Sequence, residues 1–255
     1  MQMVRVLPSS RTDLLVLSGQ SNAGGYGSDI RDTAMASAYP IRFWSDTDYD
    51  TASNFASEVS ARSDYAFGSE MSLASHLLQN DRGRTRIIKV TRNGAHNPEG
   101  TSSLANDANV EGPSWHPARD ELFTLLTDNI DDAKKQVPHP YIKAFIWIQG
   151  ETDMRVGMPW AAAYETNLNT FFTALKSRYK VEKFIVIRVK LQDTHPDKGS
   201  AEENMVRYGI EQVALKRDDT TMINIDSFYG DVLGPHYRSV EYMALGEWVF
   251  DAIYN

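Results

Sequence analysis

Cysteine is absent from the 255 residues, which excludes disulfides, thiolate nucleophiles and zinc sites built on sulfur. Positive charge is in deficit: 26 Lys and Arg stand against 34 Asp and Glu, a formal net charge of −8. Nucleic-acid binding draws on a surplus of basic side chains, so no nucleic-acid partner is expected and the balance points to a neutral or small substrate. No apolar run approaches the roughly 18 residues that span a bilayer. The start Met1-Gln2-Met3-Val4-Arg5 lacks the apolar stretch of a signal peptide. The expectation is no membrane partner, and either a cytoplasmic chain or a domain excised from an extracellular or phage-particle protein. His76, His96, His116, His139 and His195 show no metal-ligand spacing, no HExxH occurs, and neither a phosphate loop nor a G-x-G-x-x-G follows the first strand. No metal, nucleotide or other cofactor is expected.

What is present begins with Leu14-Leu15-Val16-Leu17-Ser18-Gly19-Gln20-Ser21-Asn22-Ala23-Gly24-Gly25. A strand covered on both faces reads as a continuous apolar run, and this one stops in a turn of small residues centred on a serine. In open α/β sheets ligands bind beyond the carboxyl ends of the strands, which is where such a turn falls. Alone, the pattern also fits a helix-capping serine in an ordinary strand-to-helix connection.

Further along, apolar runs predict strands at Arg86–Thr91, Lys143–Ile148, Phe184–Val189 and Thr221–Ile225, with Ile41–Trp44 a short additional candidate. Helical spacing predicts helices from about 69, 118–136, 159–177, 201–217 and 240–253. Five strands alternating with helices imply right-handed crossovers and a parallel sheet covered on both sides, a three-layer α/β/α sandwich. No linker or repeat interrupts it, so residues 1–255 read as one domain. The polar stretch from Trp44 to about Tyr65 has no period and reads as loop. Residues 93–117 form a second long connection, rich in Gly, Asn, Ser and Pro, and connections of that length are normally functional or disordered. In it, Trp115 with His116 offers either a surface that stacks on a sugar or an anchor that fastens the loop to the body.

Three strand ends converge on one sheet edge: Ser21, Asn93-Gly94, and Gln149-Gly150-Glu151, with Asp231 to His236 following the last strand. Acyl transfer by serine needs a base, a carboxylate that orients the base, and donors aimed at the developing oxyanion. Residues of all these types are present, and the order Ser, acid, His is one of several in use. Read without further information, Gln149 equally suits hydrogen bonding to neighbouring loop backbone, and Glu151 suits holding the Ser21 loop.

Gly19-Gln20-Ser21-Asn22, Trp147-Ile148-Gln149-Gly150-Glu151-Thr152-Asp153, and His236 followed ten residues later by Gly246 resemble the motifs of the SGNH-hydrolase superfamily. Within it the resemblance is to sialate O-acetylesterase-like and acetylxylan-esterase-like carbohydrate esterases. The resemblance implies a flavodoxin-like fold with a five-stranded parallel sheet. It also implies hydrolysis of O-acetyl esters on a carbohydrate through a covalent acyl-enzyme, without a cofactor. Ser21 would be the nucleophile and His236 the base. The Ser21 and Gly94 backbone N–H groups and the Gln149 amide would bind the oxyanion. Gln20, Asn22 and Glu151 would support them, and Asn93, Trp115 and His116 would face the substrate.

One position departs from the pattern. The family places aspartate three residues before the histidine, and here Leu233 stands there. Asp231 is the substitute considered first, with Glu151, Asp226 or a Ser–His dyad as alternatives. A carbohydrate-binding domain that has lost turnover, and an esterase of lipids or small esters, are the competing functions.

Overall fold

A computed structural model describes residues 11–47, 50–51, 54–56, 58–62, 65–93, 102–107, 112–191, 195–228 and 236–255. Strand β1 (Thr12–Gly19) lies at the centre of the main sheet, because Leu14, Leu15, Val16 and Leu17 are apolar on both faces and both faces are covered. It pairs in parallel with β6 (Arg86–Thr91) on one side and β7 (Pro140–Ile148) on the other. The sheet continues through β8 (Lys183–Arg188) and β9 (Thr220–Asn224) at one end, and through β3 (Phe43–Thr47) and the short β4 (Asp50–Thr51) at the other. Only β4 is antiparallel. Two two-residue strands, β2 (Ala38–Tyr39) and β5 (Val59–Ser60), pair separately, the second of them inside the stretch expected to be loop.

The sheet thus has six parallel strands rather than the five expected. The extra one is β3, for which the apolar run Ile41–Trp44 was the only sign. Its pairing with β6 runs on through Ser45 and Asp46, polar residues that an apolar pattern cannot extend into. Asp46 is tolerated because the core supplies partners. Asn129 donates to Asp46 Oδ2 at 2.8 Å and accepts from the Trp44 indole at 2.7 Å, and Arg92 pairs with Asp46 at 2.7 Å.

Register separates the two layers of helices. Lys89, Leu17 and Ile146 share one face; Val90, Ser18 and Trp147 share the other. On the first face Lys89 meets Glu70 of α2 (Ser69–Gln79), which packs on α7 (Ser239–Tyr254). On the second, Phe145 and Trp147 meet Phe171 of α5 (Met158–Tyr179). Helix α5 packs in turn on α6 (Ala201–Lys216), and through Phe123 on α3 (Glu121–Lys135). The chain runs from β1 toward β3 and then crosses back to β7, so the sheet's order reverses at β1. The crevice at a reversal of this kind is where open α/β sheets take their ligands. Two short helices sit there, α1 (Ser21–Gly24) and α4 (Glu151–Val156), each directly following a strand.

Gly246 shows why small residues recur at the layer contact. A Cβ there would lie 2.4 Å from the Ser69 carbonyl oxygen and 2.7 Å from the Leu73 nitrogen, so α7 rests directly on the backbone of α2. Gly246→Ala must push the two helices apart, and a loss of about 2–4 kcal/mol is expected, on the scale of overpacked sites. Urea unfolding checks it, and an unchanged midpoint would show that the helices separate freely.

Candidate active site

The end of β1 is pinned by backbone alone. Gly19 holds φ at +140°, and a Cβ there would come within 1.9 Å of the Ile148 carbonyl oxygen, so only glycine lets β1 and β7 end side by side. Gln20 N–H donates to that same oxygen at 3.0 Å. One turn of helix follows, with Gly24 N–H bonded to Gln20 O and Gly25 N–H to Ser21 O. Gly25 closes it at φ +84°. Ser21 is half-buried at the opening of this turn, while Asn22, Ala23 and Gly24 are buried behind it.

The buried side chains lock the turn to its surroundings. Gln20 Oε1 accepts from Thr152 N–H at 3.3 Å. Asn22 donates to Glu151 Oε1 at 2.8 Å, and its own oxygen accepts from Tyr237 N–H and Tyr242 O–H, both at 3.1 Å. Asn22 therefore ties the Ser21 turn both to the start of α4 and to the residue immediately after His236. The Tyr242 hydroxyl has a single hydrogen, which it shares between Asn22 and the nearer Tyr26 carbonyl at 2.7 Å. Burial raises the Glu151 pKa above the ordinary carboxylate range, against the lowering effect of the Asn22 bond.

His236 arrives at this turn from the α7 side. Its ring lies 5.5 Å from the Tyr26 ring, inclined by 33°, and a Cβ on Gly27 would sit 2.8 Å from the His236 Cβ. Asn93, at the end of β6, donates to the Tyr26 hydroxyl. Tyr26 thus touches three segments at once: its N–H bonds Ser21 O at 3.3 Å, its hydroxyl meets Asn93 and its ring meets His236. Sequence reasoning missed Tyr26, Tyr237 and Tyr242. Only Tyr242 carried a signal, being one helical turn before Gly246 on the face that α7 presents to α2.

The structure brings Ser21, Asn93, Glu151 and His236 to one edge. Asp231 and Gly94 lie outside the described residues. Asp226, the more distant alternative acid, is engaged elsewhere: Arg207 bonds one carboxylate oxygen, and Arg188 bonds the other at 2.8 Å. Although burial pulls its pKa upward, these partners hold it below the ordinary value.

Gln149 is completely buried, and its amide nitrogen donates to Ser102 O at 3.2 Å and to Asp153 Oδ2 at 2.6 Å. Its oxygen accepts from Tyr164 O–H at 3.0 Å. Both amide hydrogens are engaged, so in this state Gln149 fastens the 102–104 segment to α4. Trp115 and His116, expected at the substrate, are corrected by their burial. Trp115 is fully enclosed with its ring edge-on to Trp147 at 5.6 Å, the anchoring arrangement, and His116 Nδ1 accepts from Ala118 N–H at 3.2 Å. An indole has more apolar surface to bury than a loop tip can leave in water, which settles which of its two readings holds. Among the described residues no group of three or more acidic or His side chains is placed to hold a metal, and no helix is long and apolar enough to cross a membrane.

Asp153 gives this core a pH dependence. Burial pushes its pKa up from 3.8 to about 7, although bonds from Gln149 and Leu104 N–H pull the other way. The folded state then binds the proton more tightly than the unfolded chain. The associated stability is complete below the unfolded pKa and is lost as pH rises through the folded one. Asp153→Asn keeps an acceptor for both donors and removes the titration. Between about pH 5 and about pH 8 the urea midpoint of the variant should rise relative to wild type. A gap that stays constant would mean Asp153 does not titrate in this range.

The family model for carbohydrate esterases described as sialic acid-specific acetylesterases matches residues 11–255. In fold the chain is similar to a protein from Arabidopsis thaliana, with a TM-score of 0.71 at 16% identity over 95% of this chain and 97% of that one. It is similar to NanS, with a TM-score of 0.65 at 16% identity over 96% and 97% of the two chains. A carbohydrate acetylesterase from Xanthomonas citri gives 0.61 at 18% identity, over 94% of this chain and 55% of that one. Comparison with curated proteins returns no significant match. With the Ser21 turn, the Asn22 bonds and His236 assembled at the switch point of the sheet, and the family match running from Arg11 to the last residue, the chain belongs to the sialic acid-specific acetylesterase family of carbohydrate esterases, which hydrolyse carboxylic esters.

Proposed function

We propose that Ser21 is the nucleophile of an acetylesterase acting on O-acetyl groups of a sugar, either a polysaccharide or a sialic-acid-like residue. The observation that carries this reading is the double attachment of Asn22, which holds the Ser21 turn against the segment bearing His236. Ser21 Oγ attacks the acetyl carbonyl as His236 takes its proton, and the same imidazole returns the proton to the departing sugar hydroxyl. Water, deprotonated by His236, then attacks the acetyl-enzyme, and as acetate leaves the imidazole returns that proton to Ser21 Oγ. The Ser21 and Gly94 N–H groups receive the oxyanion. Gln149 joins them only if its amide leaves Ser102 or Asp153; otherwise its part is to hold the loop that borders the site. Asn93, half-buried and bonded to Tyr26, is the substrate-side residue this geometry favours.

Asp231 is the carboxylate assigned to orient His236. Glu151 is already bonded to Asn22, and Asp226 to two arginines. The second reading, a sugar-binding domain without turnover, draws on Leu233 at the family's aspartate position.

Acetate release from acetylated glycans and from p-nitrophenyl acetate distinguishes the two. Ser21→Ala should lower kcat about a thousandfold or more, leaving the residual effect of the oxyanion donors. Equal turnover by variant and wild type would remove Ser21 from the reaction, and glycan binding without acetate release would establish the second reading. Asp231→Asn should lower kcat by about 10³–10⁴-fold, and Glu151→Gln by much less, with a loss of stability instead. The reverse order would transfer the orienting role to Glu151.

A further inference from the structure

Behind the Ser21 turn lies a charged pair that the proposed reaction does not use. Lys89 stands in the middle of β6, level with Leu17 of β1, and its ammonium is buried against Glu70 of α2 at 2.8 Å. The side chains are 4% and 3% exposed, so this is a pair inside the core. Burying two charges costs more than a surface pair returns, and apolar residues of similar volume would fill the same space. The bonds beyond the pair show what it holds.

Lys89 Nζ donates to the Gly24 carbonyl at 3.0 Å. That oxygen belongs to the last residue of α1, where carbonyls have no partner within the helix. Glu70 Oε1, besides accepting from Lys89, accepts from Gly68 N–H at 2.9 Å, just ahead of α2. The two backbones so joined are in direct contact, since a Cβ on Gly25 would lie 2.4 Å from Gly68 N. One continuous chain of bonds therefore runs from the start of α2, through Glu70 and Lys89, to the end of the turn that begins with Ser21.

We infer that Lys89, held by Glu70, is a positioning residue that fixes the nucleophile turn through the Gly24 carbonyl without touching the substrate. This rests on Ser21 being the nucleophile. The three remaining anchors of the turn, at Gly19, Gln20 and Asn22, act on its entry and first residues, and Lys89 is bonded to its end. Misplacing a nucleophile by about an ångström can cost on the order of a hundredfold in rate, which sets the scale of the effect.

The test uses Lys89→Met/Glu70→Gln, which leaves no unpaired charge and keeps an acceptor for Gly68 N–H, alongside Glu70→Gln alone, in which Lys89 still reaches Gly24 O. The double variant should retain a melting temperature near wild type and an unchanged KM. Its kcat on p-nitrophenyl acetate, and its rate of Ser21 labelling by a fluorophosphonate, should fall about ten- to a hundredfold. Glu70→Gln should keep most of kcat. A folded double variant with wild-type kcat overturns the inference. If the double variant does not fold, Lys89→Leu/Glu70→Gln, which likewise removes the donor to Gly24 O, is judged by the same criteria. Ser21→Ala is run in parallel: if it keeps activity the nucleophile reading fails and the inference with it. If it is inactive while the double variant is fully active, the inference alone fails.

Discussion

The amide of Asn22 is the contact on which the site depends. It lies inside the protein, where an unmade hydrogen bond costs far more than a made one returns, and each of its bonds goes to a different part of the chain. Its nitrogen reaches Glu151 at the end of β7, and its oxygen takes the N–H beside His236 and the hydroxyl of Tyr242 on α7. Removing it takes one donor from the buried Glu151 carboxylate and leaves the Tyr237 N–H without its acceptor. His236 lies far from Ser21 in sequence, and this side chain is one of the contacts that hold its neighbour Tyr237 against the Ser21 turn.

The surroundings of that contact are unusually rich in buried ionisable groups for a core otherwise made of aromatic and aliphatic side chains. Glu151 and Asp153 follow directly from β7, both with pKa values raised by burial, and Glu70 with Lys89 lies on the other side of the turn. Each is bonded to backbone or amide groups of a connecting segment rather than to regular strand or helix ladders. Loops must satisfy their own backbone polar groups, and where they are buried at a sheet edge the partners have to be side chains. The polar core is the means by which several irregular segments become as fixed as the strands they follow.

The same distinction explains what the sequence made legible. The strands β1, β7 and β8 follow from apolar runs, β6 and β9 from shorter ones bounded or broken by polar residues, and the long helices from apolar spacing, because these patterns report burial directly. Strand β3 continues through Asp46 and was under-read, since the burial of Asp46 is secured by Asn129 and Arg92, which are remote in sequence. Ser21 and His236 were visible as residue types in motifs. Tyr26 was not, because nothing local marks a tyrosine whose hydroxyl, ring and amide serve three separate segments. Trp115 was legible only as a choice between exposure and anchorage, which packing against Trp147 decides.

Four anchors from different elements hold the Ser21 turn: backbone contact with Ile148, the Thr152 amide on Gln20, the Asn22 cluster, and Lys89 on Gly24. Such redundancy is not needed to keep a single turn folded, since one capping bond would do so. It suits the role proposed for Ser21, whose hydroxyl would have to stay aligned with an imidazole delivered by a distant segment, because a rotation permitted about any one anchor is blocked by the others. Preorganisation of this kind places the geometric demands of catalysis in the folding of the core, before any substrate binds.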